Sequence, residues 1–138
     1  MYAVLYIRVL VAFGLLAPAL YGADEPKTVL VSPSVLRGLA YSTTLPNYPV
    51  SSFKANHTGV AVIEIVIGET GKVEKRMVLQ APDQPTARSV DDAVKRWEFH
   101  PFLASGSPVP MKGRLIFYFR VLDGRPVVFD ATASPPPK

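Results

Sequence analysis

Residues 59–67, "GVAVIEIVI", alternate so that Ala61, Ile63, Ile65 and Ile67 fall on one side of an extended chain with Glu64 on the other. That two-residue period is the mark of a half-buried β-strand. The turn over Gly68–Gly71 leads into a second extended run, and the two read as a hairpin. On the second run Val73, Met77 and Leu79 share a side that Lys75 interrupts, which places this strand near a sheet edge or twisted away from the core. Pro82 and Pro85 end it. Thr86 is placed to cap a helix running to about Glu98, in which Val90, Ala93, Val94 and Trp97 recur at i, i+3, i+4 and i+7 and form one apolar stripe. Asp91, Asp92, Lys95, Arg96 and Glu98 take the remaining positions. Pro101 then forbids continuation and pushes His100 out of helical geometry, with Phe99 placed to pack just past the helix end.

A third strand follows in "GRLIFYFRV", where Leu115, Phe117, Phe119 and Val121 point inward and Arg114, Ile116, Tyr118 and Arg120 point outward. Asp123 and Gly124 turn the chain into a last short strand over Val127–Phe129. Upstream, Pro49 opens a short helix from Val50 to Asn56 with Val50 and Phe53 on its apolar side. The order helix, strand, strand, helix, strand predicts an α+β fold. It has a small antiparallel three-stranded sheet, a fourth short strand as an addition, and two helices packed on one face.

Composition narrows the picture. The 138 residues, 49% hydrophobic and 10% aromatic, suffice for one domain and its core. The first 23 residues carry one charge, Arg8, then an apolar run and small residues, and read as a secretory signal peptide. The rival reading is a short membrane anchor, against which the apolar run falls short of the ~20 residues a spanning helix needs. Either way the remainder lies outside the cytoplasm. Residues 24–44 read as a tether, with a short strand around Val29–Val31 as an option. Residues 45–122 form the domain, 123–130 an extra strand, and 131–138 a proline-rich tail.

Candidate chemistry is thin. The absence of cysteine removes thiol catalysis, disulfides and Cys-based zinc sites. His57 and His100 are the only histidines, and neither has a second histidine at metal-binding spacing. Asp91 and Asp92 point about 100° apart on a helix, a poor carboxylate pair. With no nucleophile elbow, phosphate loop or zinc-binding helix motif, the chain reads as a non-enzyme without cofactor or metal. The net charge of +4 is spread out, with no basic run interleaved with aromatics, so nucleic acid is not an expected partner. A sheet edge is a different kind of site. If Gly113–Val121 is an edge strand, its backbone can pair with an extended peptide while Arg114, Tyr118 and Arg120 supply side-chain contacts; equally, those charges can guard the edge against aggregation.

Several segments in fixed order then resemble a known family. "LPNYP", Gly59, "GETGKV", "ARSVDDAVKRWEFHP" and "GRLIFYFRV" together are similar to the C-terminal domain of TonB, the periplasmic energy transducer of Gram-negative bacteria, over about residues 45–122. The resemblance implies capture of the TonB box, an extended segment of a TonB-dependent outer-membrane receptor, by strand addition. Carried over by position, it implies that the strand bearing Arg114, Ile116, Tyr118, Arg120 and Val121 binds the receptor, with Tyr48 and Pro49 beside it. It further implies an ExbB and ExbD inner-membrane complex as partner, reached through an N-terminal anchor, and leaves a homodimer open. The tether 24–44 extends at most ~70 Å. The competing reading is therefore a stand-alone periplasmic interaction or assembly module with the same fold and no energy transduction.

Overall fold

The computed structural model describes residues 27–133. The leader or anchor over residues 1–23 and the end of the proline-rich tail lie outside them. In chain order the elements are β1 (Val29–Leu30), α1 (Pro33–Leu39), β2 (Ala40–Ser42), α2 (Val50–Lys54), β3 (Gly59–Ile67) and β4 (Val73–Gln80). Then come α3 (Gln84–Val94), β5 (Glu98–Phe99), β6 (Phe102–Ala104), β7 (Ser107–Val109), β8 (Met111–Leu122) and β9 (Arg125–Asp130).

The sheet is larger than the expected three strands. Five strands join in the path β1-β8-β3-β4 with β9 also on β8; β1 pairs parallel and the other contacts are antiparallel. Two two-stranded additions, β2 with β5 and β6 with β7, complete the architecture. The α+β class holds. The inward side of β3 and β8 is as the alternation predicts: Ala61, Ile63, Ile65, Ile67, Leu115, Phe117 and Phe119 are fully buried, whereas Val121 is half-buried. Val90, Val94 and Trp97 close on that face from the helix side.

Four local expectations need correction. The α3 cap is Asp83, not Thr86: the Asp83 carboxylate accepts from Thr86 N at 2.9 Å while the Thr86 hydroxyl reaches back to Asp83 N, a reciprocal capping box with Pro85 in the first turn. Regular helix stops at Val94, and two tight turns, Arg96 N to Ala93 O and Trp97 N to Val94 O, keep Trp97 on the stripe. Met77 and Leu79 face outward, 57% and 43% exposed, because register shifts along the β3–β4 ladder turn β4 over and put Val78 opposite Ile63 instead. In the short α2 it is Ser52 that is buried, while Val50 is 66% exposed.

The stretch expected to be a tether is built into the domain. Ser32 caps α1 by accepting from Val35 N, Pro33 sits in the first turn, and Leu36 is fully buried in the main core. β2 then pairs with β5, and His100 N donates to Leu39 O at 2.8 Å. Ala131 and Thr132 are also buried, so the tail begins later than its composition suggests.

Candidate partner-binding edge

β8 is an interior strand, which corrects its expected place at the sheet edge. On one side it pairs with all 9 residues of β3. On the other side Val29 N donates to Pro110 O and Val31 N to Lys112 O, both at 2.9 Å, as β1 covers Met111 and Lys112. β9 covers Phe117–Leu122 after a tight turn in which Asp123 and Gly124 both take positive φ, 51° and 73°. Past the end of β9, Ala131 N donates to Ile116 O at 2.8 Å and Ile116 N donates to Thr132 Oγ1 at 3.0 Å. Among the described residues this leaves Gly113–Leu115 without a paired strand on that side. A hollow of about 370 Å³ opens there, between Leu30, Val31 and Pro33 and the side chains of Glu64, Lys112 and Arg114.

The outward residues of β8 do line one face. Arg114 is exposed; Ile116, Tyr118 and Arg120 are half-buried, and the Arg120 guanidinium lies 5.3 Å from the Tyr118 ring centroid. Glu64 ties this face together, with Lys112 Nζ at 2.9 Å and Arg114 Nε at 3.5 Å. The Lys112 bond first, and Arg114 after it, hold the Glu64 carboxyl below its usual range against the opposing effect of burial. The face is therefore cationic with apolar ground between the charges.

Tyr48 and Pro49 lie elsewhere. The Tyr48 ring packs edge-on against Phe119, an inward residue, at 5.3 Å and against Phe53 at 6.1 Å, and its hydroxyl donates to His57 O. The expected site thus divides between the two faces of β8. Burial, then the negative charge of Asp83, push the Tyr48 phenol above its usual range. Asp83 fastens this corner: besides capping α3 it bonds His57 Nδ1 at 2.8 Å. Burial opposes its charge, yet bonds from Thr86 and His57 hold the carboxyl well below the usual carboxylate range. The nearby Ser52 hydroxyl favours the charged form too, although it is buried without a hydrogen bond of proper geometry. His100 stacks on Tyr41 with centroids 4.8 Å apart and is exposed. Among the described residues no three His, Asp or Glu side chains converge as metal ligands would.

Short strands near Val29–Val31 and over Val127–Phe129 are legible in the sequence, but their pairing with β8 is not, and α1 is missed. Ser32-Pro33 was the available signal for α1, since a hydroxyl cap followed by proline marks a helix start. The Asp83-x-Pro85-Thr86 pattern was the signal for the true α3 cap.

The sequence profile of the family described as Gram-negative bacterial TonB protein C-terminal matches residues 44–121. Among solved structures, the chain is similar to the solution NMR structure of the Pseudomonas aeruginosa TonB CTD. The match has a TM-score of 0.50 and 24% sequence identity, and covers 62% of this chain and 87% of that one. That likeness is one of fold. None of the curated proteins matches the chain.

Proposed function

The chain belongs to the Gram-negative bacterial TonB protein C-terminal family, and from that premise we propose that it is a TonB-like periplasmic protein that binds an extended segment of an outer-membrane receptor by strand addition to β8, in support of energy-coupled transport. The observation that carries this reading is the family match, which runs from just before α2 to the end of β8 and so contains the strand the resemblance assigns to the partner. Arg114, Ile116, Tyr118, Arg120 and Val121 provide the contacts; Tyr48 braces the strand from its inner side through Phe119, with Pro49 next to it as the N-cap of α2. Coupling to an ExbB and ExbD complex and anchoring through residues 1–23 belong to the same proposal; among the described residues no helix is long and apolar enough to cross a membrane. The test is an amide-shift titration with a synthetic peptide from the N-terminal extended segment of a TonB-dependent receptor. Shifts concentrated at residues 111–121 are expected, and an unchanged spectrum at millimolar peptide refutes the reading.

One observation favours a second reading, a stand-alone assembly module without energy transduction. β4, at the far end of the sheet, has no strand on its outer side among the described residues, so a second copy can pair there. Light scattering that shows a monomer at every accessible concentration removes it.

A further inference from the structure

Two segments lie along the outer side of β8, and both fall outside the residues matched by the family profile. β1 and α1 precede residue 44, and β9 with Ala131 and Thr132 follows residue 121. They come from opposite ends of the described chain, yet they are joined to each other. Arg37 Nε on α1 donates to Asp130 Oδ2 at the end of β9, at 2.6 Å, with side chains 35% and 17% exposed. The other carboxylate oxygen, Asp130 Oδ1, accepts from Thr132 N at 3.0 Å, and Thr132 Oγ1 accepts from Ile116 N at 3.0 Å. A path of hydrogen bonds thus runs from α1 through one carboxylate to the backbone of β8.

We propose that these two segments form a cover over the β8 edge, closed by the Arg37–Asp130 ion pair, and that a partner strand gains β8 only when the pair opens and β1 lifts. The proposal rests on the reading of β8 as the partner strand. Strand length is what makes the cover matter. The open stretch, Gly113–Leu115, is three residues, too few for a stable strand pairing; with Met111 and Lys112 released it becomes five, close to the usual length of about five to six. β1 is the half that gives way. Its pairing with β8 spans two residues and Leu30 is 78% exposed, whereas β9 pairs along all 6 of its residues. α1 tilts with β1 about the buried Leu36 once the pair opens, so the opening stays local. Gly113 lets the cover sit this close: a Cβ there would lie 3.0 Å from Leu36 Cδ2 and 3.2 Å from Val31 Cγ2.

Two changes in the full chain test this. Asp130→Asn keeps an oxygen for Thr132 N but removes the charge that holds Arg37. Leu30→Cys with Lys112→Cys places two cysteines at register partners in a chain that has none, so that a disulfide fixes β1 on β8. The first is expected to speed amide exchange at Val29 and Val31 roughly fivefold, and to tighten binding of the receptor-segment peptide by a similar factor. The oxidised cysteine variant is expected to bind that peptide at least about tenfold more weakly than its reduced form. Exchange at Val29 and Val31 that does not respond to Asp130→Asn overturns the latch. Equal binding by the oxidised and reduced forms overturns the cover while leaving β8 as the partner strand. A peptide that binds neither the original chain nor the reduced variant overturns the assignment of β8 itself, and exchange still decides the latch. The cysteine pair replaces an exposed and a half-buried side chain, so it does not depend on how well Asp130→Asn folds.

Discussion

Leu36→Ala asks whether the segment before the family-matched region is part of the cooperative fold. Leu36 is fully buried in the main cluster with Trp97, Phe99 and Leu115, and it meets β8 where Gly113 has no side chain. Removing three carbons at a sealed site forfeits their transfer free energy and leaves a cavity. Because α1 spans only 7 residues and can settle inward, the low end of the known range applies, ~3 kcal/mol. Against a domain stability of ~5–15 kcal/mol, that is a large loss. It also has a ceiling. Once the cost exceeds what holds α1 in place, the segment undocks and the loss stops growing. Urea denaturation followed by fluorescence of Trp97, the only tryptophan, measures it, and that probe is well placed because the Arg37 guanidinium lies 5.6 Å from the Trp97 ring centroid. A lower midpoint with unchanged slope means α1 unfolds with the sheet, whereas a reduced slope means it undocks first. A loss below ~1 kcal/mol with unchanged slope and unchanged amide exchange at Val29 and Val31 refutes the placement of Leu36 in the core.

Trp97→Ala is expected to cost ~3–5 kcal/mol in the same assay, since the ring is 1% exposed and its Nε1 donates to Thr44 O at 2.8 Å; a loss below ~1 kcal/mol contradicts that burial. Gly71→Ala combines a φ of +84° with a Cβ directed into the Phe99 carbonyl, for a loss above ~2 kcal/mol, while Gly106→Ala, with a φ of +80° but open space, costs only ~1 kcal/mol; equal thermal shifts for the two remove the clash argument. The depressed Asp83 carboxyl gives stability that is fully present above its unfolded pKa of about 4 and is lost as pH falls through the lower folded value. Asp83→Asn, which keeps a capping side chain, is therefore expected to flatten the melting temperature below about pH 4; an unchanged acid profile refutes that linkage.

What the sequence reveals here depends on the range of the interaction. The burial of Ile63, Ile65 and Ile67 and of Val90, Val94 and Trp97 follows from local periods of two and 3.6, and both are legible. The side that Met77 and Leu79 take depends on register shifts in a ladder, which no single-strand pattern records. α2 is so short that one turn decides which residue is buried, and Ser52 rather than Val50 is the answer. The pattern of β8 gives its inward and outward faces correctly, but whether its edge is free depends on β1 and β9, one before and one after it in the chain. A two-residue strand leaves too little alternation to read. The division of Tyr48 from Arg114 and Arg120 is tertiary as well, since it follows from Tyr48 packing edge-on against Phe119.

The tight turn at Asp123–Gly124 makes β8 and β9 a hairpin whose open end lies where the chain leaves β9 at Asp130. Tension applied there meets the ladder one rung at a time and peels it like a zipper. Tension along β8 instead loads its pairing with all 9 residues of β3 together, in shear. The same strand is thus mechanically weak toward its cover and strong toward its core.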